Sequence, residues 1–166
     1  MIFVTVGTHE QPFDRLLKWI EKMVEEKIIN EEVIIQKGYT DYEPKNCKSY
    51  KLIGYSEMQK YISEARIVIT HGGPSSFIAP LTVGKIPIVV PRKKEFNEHV
   101  NNHQVEFANE VANRMKNILV ANNDEELIDL ILNYESKIKN ISNINNSNNE
   151  LFCSKLNNEI NSLFED

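Results

Sequence analysis

Short apolar runs rich in β-branched residues alternate along the chain with longer amphipathic stretches. Several runs contain isoleucine and valine without polar alternation, as strands covered on both faces of a parallel sheet do. The runs lie at residues 2–6, 33–36, 50–53, 67–70, 86–90 and, more weakly, 118–120. Repeated strand and helix units of this kind predict an α/β fold, with a parallel sheet that carries helices on both faces.

The stretches between the runs carry apolar residues at helical spacing. In residues 13–26, Leu16, Ile20 and Met23 fall on one face, which is typical of a helix that packs against a core. Further helices are predicted at residues 56–64, 75–83, 102–112 and 124–134. Asn123 or Asp124 is the predicted N-cap of the last of these, because a short polar side chain there accepts a backbone hydrogen bond.

The length of 166 residues suits one domain with a sizeable core and is too short for two full α/β domains. We predict that the domain covers residues 1–135 and that an Asn/Ser-rich linker follows at residues 136–149. Residues 150–166 regain helical spacing through Leu151, Leu156 and Ile160. This C-terminal amphipathic helix either docks on its own domain or binds a partner.

Composition excludes several classes of function. A net charge of -5 with 26% charged residues gives no broad attraction for nucleic acid. Cys47 and Cys153 are far apart and have no ligand spacing, so we expect neither a disulfide framework nor a metal site, and a reducing cytoplasm fits best. We also expect no membrane anchor, because the sequence lacks a long apolar segment.

Candidate chemistry lies in the segments that follow the predicted strands, because ligands of open parallel sheets bind beyond the carboxyl ends of the strands. All four histidines fall in three such segments, at residues 7–10, 71–76 and 91–104. Gln36 and Gly38 end the second apolar run at the same edge. A ligand site at this edge is therefore the first hypothesis.

The segment His-Gly-Gly-Pro-Ser-Ser at residues 71–76 has the outline of a diphosphate cradle. Two glycines let backbone N–H groups approach an anion, and Pro74 suits the first turn of a helix. Ser75 and Ser76 add hydroxyl groups at the positive end of the helix dipole. The segment is neither a Walker loop nor a dinucleotide fingerprint. A tight turn with capping serines has the same sequence, so both interpretations stay open.

This segment, the run Val-Gly-Lys-Ile-Pro-Ile-Val-Val-Pro at residues 83–91 and Asn-Asn-His-Gln at residues 101–104 resemble the donor-binding domain of family 28 glycosyltransferases. That domain is the C-terminal, Rossmann-like half of a GT-B enzyme. The opening Phe-Val-Thr-Val-Gly-Thr at residues 3–8 is most similar to the catalytic subunit of two-component transferases. These include the dolichol-linked GlcNAc transferase and the bacterial capsule and exopolysaccharide transferases. The resemblance covers about residues 1–135.

The resemblance implies a site that binds a UDP-sugar as donor without a metal or another cofactor. Gly7 and Thr8 would face the diphosphate, and the uracil would lie at Gly54, Tyr55 and Met58. The phosphates would be bound by His71, Gly72, Gly73, Ser75 and Ser76, and the sugar hydroxyls by Asn102, His103 and Gln104. The sequence departs from many relatives at Ala79, where they carry a glutamate that binds the ribose. Another group must then bind the ribose, or donor affinity is lower.

Two pairs of residues are candidates for acid–base and acceptor chemistry. His9 and Glu10 are the candidates in this chain for the base that deprotonates the acceptor hydroxyl. An exposed capping pair is the alternative for them, and in full-length relatives the acceptor domain is another source of the base. Arg92 and Lys93 could bind the phosphates of an acceptor or of lipid headgroups. A solvated basic loop is the alternative there.

The resulting hypothesis is an inverting glycosyltransferase subunit in capsule or exopolysaccharide synthesis. It would move a hexose from UDP-galactose, UDP-glucose, UDP-glucuronate or UDP-GlcNAc to a lipid-diphosphate-linked glycan acceptor. A membrane-anchored acceptor-binding subunit would hold it at the inner face of the membrane, and a homo-oligomer stays open. The main alternative is a non-catalytic nucleotide-sugar-binding module that regulates a partner transferase. An unrelated α/β enzyme such as an epimerase would need a second full domain.

Overall fold

A computed structural model describes residues 1–139, 141 and 149–162. Within these residues the chain forms six strands and seven α-helices. The strands are β1 (Ile2–Thr5), β2 (Val33–Gln36), β3 (Lys48–Tyr50), β4 (Ile67–His71), β5 (Ile88–Val90) and β6 (Leu119–Val120). The helices are α1 (Asp14–Glu25), α2 (Tyr55–Glu64), α3 (Pro74–Thr82), α4 (His103–Met115), α5 (Asp124–Leu132), α6 (Tyr134–Lys139) and α7 (Asn149–Ser162). A 3-10 turn at Lys94–Phe96 separates β5 from α4.

The six strands form one parallel sheet in the order β3-β2-β1-β4-β5-β6. The chain moves outward from β1 through β2 to β3, then returns to the other side of β1 at β4. In the register, Ile2 of β1 lies beside both Val33 and Ile67. Such a reversal opens a crevice beyond the carboxyl ends of the two central strands. The loops after β1 and β4 therefore meet at one place, and the predicted α/β fold is confirmed.

Helices cover both faces of the sheet. On one face Val4 and Ile69 pack with Leu16 and Ile20 of α1 and with α5. On the other face Phe3 and Val68 pack with α2. Each fully buried aliphatic side chain of this size stabilises the fold by about 1.5–3 kcal/mol. The central strands thus form a rigid base for the loops at their carboxyl ends.

The third strand differs from its prediction. It was expected at residues 50–53, whereas β3 is an edge strand that pairs with β2 alone and ends at Tyr50. Two hydrogen bonds from Lys37 and Gly38 extend the pairing as far as Lys51. The apolar residues that follow leave the sheet and contribute to the site described below.

The C-terminal part divides differently from the predicted boundaries. Asn123 is the N-cap of α5, since its Oδ1 accepts the Glu126 amide at 2.8 Å. The predicted helix at 124–134 is two helices, and α6 continues to Lys139, inside the segment predicted as a linker. Residues 140, 142–148 and 163–166 of the predicted linker and terminal helix lie outside the described residues. Among the described residues, no helix has both the length and the apolar character to cross a bilayer.

Candidate functional site

A cavity of about 460 Å³ lies at the carboxyl ends of the central strands. It is the larger of two neighbouring cavities and falls in the size range of small-molecule sites. Predicted site residues that line it are Gly7, Thr8, His9, Met58, His71, Ser75 and Ser76. Thr5, Gln36, Leu52 and Ile53 complete its wall. Leu52 and Ile53 were assigned to a strand by the sequence, and their apolar side chains give the cavity a nonpolar end.

A second, smaller cavity of about 210 Å³ borders the same turn between β4 and α3. It is lined by Gly72, Gly73, Pro74, His99, His103, Gln104 and Phe107. The ring of His103 stacks on Phe107, with centroids 6.1 Å apart. Phe107 was not predicted, but it follows His103 by one helical turn and so shares its face. The turn after β4 therefore contributes to the walls of two neighbouring spaces.

His71 occupies the centre of the turn with both ring nitrogens engaged. Its Nδ1 accepts the Gly73 amide at 3.0 Å, and its Nε2 lies 2.7 Å from the Ser76 hydroxyl. An accepting Nδ1 places the proton of the neutral ring on Nε2, which then donates to Ser76. Burial lowers the pKa of His71 to about 4, and the Arg92 charge adds to this effect. The ring is therefore neutral at pH 7, and the Ser76 hydroxyl is free to donate to a ligand.

Two glycines make room for this imidazole. A Cβ on either Gly7 or Gly73 would overlap the His71 ring, and Gly7 also has a φ of +76°. Gln36 holds the first loop in place, because its Nε2 donates to the Gly7 carbonyl at 3.1 Å. Thr5 donates in turn to Gln36 Oε1 at 2.6 Å. The β1 loop is thus shaped around His71 as much as around a ligand.

The backbone amides of Gly72 and Gly73 are not the free donors that the sequence suggested. The Gly72 amide donates to Gln104 Oε1 at 3.1 Å, and the Gly73 amide donates to His71. In this conformation neither amide is available to a phosphate. The donors that remain are the Ser75 amide, which has no intrahelical acceptor in the first turn, and the two serine hydroxyls. The candidate anion site therefore moves from the glycine turn to the first turn of α3.

The sugar-binding residues expected from the sequence are only partly free. Gln104 is buried, and its Oε1 accepts from the Arg92 amide at 3.2 Å in addition to Gly72. Its Nε2 is the atom left for a sugar hydroxyl. Asn102 Oδ1 accepts the Lys94 amide at 2.8 Å, and Asn102 precedes α4 outside the lining of both cavities. His103 is exposed at the smaller cavity.

His9 lies between the two cavities beside another histidine. Its ring centroid is 5.1 Å from that of His99, which comes from the loop before α4 and was given no role by the sequence. His9 Nδ1 accepts the Gln11 amide at 3.1 Å, so Nε2 carries the proton of the neutral ring. Partial burial, Arg92 and His99 lower the pKa of His9, whereas Glu10 opposes them. This arrangement suits a neutral N–H donor better than a base.

Other predicted site residues lie outside both linings. Glu10 is exposed on the β1 loop, and Tyr55 is 80% exposed beside Gly54 at the start of α2. Ala79, at the position of the ribose glutamate, packs against the core that contains Phe3. It offers no polar group in place of the carboxylate.

Arg92 is not the surface phosphate ligand that the sequence suggested. It is 1% exposed. Its Nη1 donates to the carbonyls of Gln11 at 2.7 Å and Glu98 at 3.1 Å, and its Nη2 donates to that of Val6 at 2.9 Å. Lys93 is partly buried. Its amide donates to Glu98 Oε2 at 2.9 Å. The basic cluster is therefore partly internal, because the sheet order places the loop after β1 against the loop that carries Arg92.

Within the described part of the chain, no three histidine, cysteine or acidic residues are grouped to hold a metal ion. The donors that could stabilise an anion are the backbone amide and serine hydroxyls at the N-terminus of α3 and the imidazole N–H groups. The arrangement therefore provides donors for an anionic ligand between two cavities, of which the smaller has His103 and Gln104 in an otherwise largely apolar wall.

Three glycosyltransferases are among the solved structures that resemble this fold. The chain matches MurG from Acinetobacter baumannii with a TM-score of 0.54 at 18% identity, over 81% of this chain and 41% of that one. SnogD from Streptomyces nogalater matches with a TM-score of 0.52 at 15% identity, over 92% and 42%. The glycotransferase of kitacinnamycin matches with a TM-score of 0.53 at 16% identity, over 86% and 35%. At these identities the likeness shows the fold, and the chain spans about two fifths or less of each neighbour.

No curated protein matches the chain. The sequence profile of the glycosyltransferase family 28 C-terminal domain, however, matches residues 1–160. This match includes both cavities, the turn between them and most of α7. The chain therefore belongs to the glycosyltransferase family 28 C-terminal domain family.

Proposed function

We propose that the chain binds a UDP-sugar and is the catalytic subunit of an inverting hexosyltransferase. The acceptor is a sugar linked to a lipid diphosphate, and the pathway is capsular or exopolysaccharide synthesis. A membrane-anchored subunit binds the acceptor and holds the chain at the cytoplasmic face of the membrane. No metal or other cofactor takes part.

The position of the α3 N-terminus between the two cavities carries this proposal. The larger cavity has apolar Leu52 and Ile53 in its wall and room for a nucleoside, and the smaller one has His103 and Gln104 for a hexose. A diphosphate that joined the two would lie at the first turn of α3. The Ser75 amide and both serine hydroxyls would donate to it there, at the positive end of the helix dipole.

The same donors would stabilise the charge that develops as UDP leaves. Preorganised donors at the end of a helix do this without a metal, because they need not reorient during the reaction. His9 would add its Nε2–H from the wall of the larger cavity. The base for the acceptor hydroxyl is then Glu10 or a group of the partner.

The partner is proposed because residues 3–8 resemble the catalytic subunit of two-component transferases, in which a second polypeptide binds the acceptor. In a GT-B arrangement the remaining half faces the carboxyl edge of this sheet. A second polypeptide could supply that half and also the membrane attachment. Lys93 and Lys94, at this edge, are available to an acceptor phosphate.

Isothermal titration calorimetry with UDP tests the binding part of the proposal. Wild-type chain should bind UDP at one saturable site, and Ser75→Ala combined with Ser76→Ala should weaken binding by about a hundredfold if each hydroxyl contributes about 1.5 kcal/mol. Ser63→Ala, in an exposed position near the end of α2, is the matched control. Equal affinity in the double variant and the wild type would contradict the proposed anion site.

A regulatory module that binds a nucleotide sugar without catalysing transfer is the second candidate. Ala79 favours it, since this chain lacks the glutamate that binds the ribose in many relatives. Transfer assays with the co-expressed partner separate the two. If His9→Ala and Glu10→Gln each leave UDP binding intact, loss of transfer in either supports catalysis by this chain. Full transfer in both variants and in the double serine variant would support the regulatory module.

A further inference from the structure

We propose that Arg92 is a positioning residue, whose guanidinium holds the His9 loop and the His99 loop together at the phosphate-binding end of α3. The inference rests on the proposed function for its catalytic consequence. Its structural content is independent of that function. The sequence predicted this side chain on the surface, whereas the structure has it buried.

The side-chain hydrogen bonds of Arg92 reach three carbonyl groups and join two loops, the one after β1 and the one after β5. One nitrogen, Nη2, donates to Val6 at the end of β1 at 2.9 Å. The other, Nη1, donates to Gln11 on the His9 loop at 2.7 Å and to Glu98, next to His99, at 3.1 Å. The two histidine rings, 5.1 Å apart, thus belong to loops that share one guanidinium. A fork of several fixed donors makes this possible, whereas a lysine ammonium is a single point of charge.

Neighbouring groups keep the fork in one orientation. The Phe13 ring lies 4.8 Å from the Arg92 guanidinium carbon. Glu98 is fixed in turn by Arg15 of α1, whose Nε and Nη2 donate to the two carboxylate oxygens at 2.8 Å each. The Arg92 backbone reaches the other side of the site, because its amide shares Gln104 Oε1 with Gly72. One residue is therefore connected to both walls of the candidate site.

Arg92 also sets the electrostatic environment of the imidazoles. It is 1% exposed, and burial lowers its pKa to about 10, so it stays charged at neutral pH. The charged and titratable groups that face His9 are Arg92, His99 and Glu10, with His71 nearby. The Arg92 charge favours neutral rings at both His9 and His71. Each neutral ring accepts a backbone amide at Nδ1, which leaves its proton on Nε2. Arg92 thus holds the His9 loop in place and also favours the neutral form of the His9 ring.

The test compares Arg92→Lys, which keeps the charge and loses the fork, with Arg92→Met, which loses both. Arg114→Lys, at a 76% exposed arginine near the end of α4, is the matched control. Nuclear magnetic resonance of the full chain follows the contact between the His9 and His99 rings and the pKa of His9. Calorimetry gives UDP affinity, and transfer with the partner gives kcat and KM.

We expect Arg92→Lys and Arg92→Met to lose the contact between the rings and to lower kcat at least about tenfold, with UDP affinity and donor KM within about threefold of wild type. The pKa of His9 should rise in Arg92→Met. Arg114→Lys should match wild type in every measurement. Wild-type kcat in Arg92→Lys would overturn the inference, because charge alone would then suffice. Losses of affinity and kcat that only follow the unfolded fraction would also overturn it.

Two further observations decide the case if the variants do not fold. In the wild-type chain, the Arg92 guanidinium protons should exchange slowly with solvent, and the two rings should show magnetisation transfer. Rapid exchange or absent transfer would overturn the inference. A wild-type chain that binds no UDP would contradict the proposed function, and the ring contact in Arg92→Lys would then decide the positioning role by itself.

Discussion

Nε2 of His71 lies 2.7 Å from Oγ of Ser76, while Nδ1 of the same ring accepts the Gly73 amide. This pair of hydrogen bonds orients the Ser76 hydroxyl as a donor toward the larger cavity. The glycine turn therefore serves mainly to hold the imidazole, and the serine on α3 presents the donor. A neutral His71 is required, because a doubly protonated ring could not accept from Gly73.

Removing this hydroxyl by Ser76→Ala should weaken UDP binding at least about tenfold, since a hydrogen bond to a charged group is worth about 1.5 kcal/mol or more. Calorimetry measures the affinity, and thermal unfolding should change little. An unchanged affinity would mean that the diphosphate does not reach this residue.

Substituting Gly7→Ala should abolish UDP binding and destabilise the domain. Its φ of +76° costs about 1 kcal/mol for a residue with a Cβ, and that Cβ would overlap the His71 ring. Gly84→Ala is the matched control, because Gly84 has a φ of +75° just beyond the C-terminus of α3, away from His71. Urea unfolding and calorimetry of both variants separate backbone strain from the overlap. Equal effects in the two variants would show that the His71 contact has no special weight.

Stability should depend on pH through His71. Its pKa is lowered from 6.5 to about 4 in the folded chain. Between these values the unfolded chain binds a proton that the folded chain does not, so stability falls as the pH is lowered from about 6.5 to about 4, by about 3 kcal/mol. Urea titrations across this range should show a steeper slope for wild type than for His71→Gln. Parallel slopes would contradict the lowered pKa.

The ion pair between Arg15 and Glu98 should be important for stability. Glu98 is buried and also accepts the Lys93 amide, so Glu98→Gln should cost about 3 kcal/mol by leaving the arginine without its counter-charge. Glu110→Gln, in the exposed pair with Arg114, should change stability by less than about 0.5 kcal/mol. Urea unfolding of both variants measures the difference. Equal costs would show that burial adds nothing to the pair.

Deleting residues 150–166 should weaken association with the partner or with a second copy, and should leave UDP affinity unchanged. The described part of α7 exposes Phe152, Leu156 and Ile160 at spacings of one helical turn. Sedimentation and co-purification measure association, and calorimetry measures affinity. An intact complex with impaired UDP binding would indicate that α7 supports the nucleotide site instead.

Central parts of the fold could be predicted because their signal is local. β1 and β4 are continuous apolar runs, and buried parallel strands need no other pattern. The edge strand β3 was misplaced because its apolar tail, Leu52 and Ile53, contributes to a cavity and not to the sheet. Local pattern cannot distinguish an apolar residue that lines a cavity from one that is buried in a sheet.

The meeting of the candidate loops was predictable from the sequence, and their contacts were less so. The topological reversal brings the expected loops together, including His9, His71 and Ser76. The roles of Gln104 and Arg92 depend on partners that are distant in sequence, such as Gly72 and Val6. No spacing in the sequence encodes those hydrogen bonds. The basic cluster was therefore predicted on the surface, although its first residue, Arg92, is buried.

Isothermal titration calorimetry, which measures the heat of UDP binding to the chain, tests the proposed diphosphate site most directly. We predict one saturable site that is weakened by Ser76→Ala and lost in Gly7→Ala. A chain that releases no binding heat with UDP or UDP-sugars, either alone or in complex with its partner, would contradict the proposed site at the N-terminus of α3.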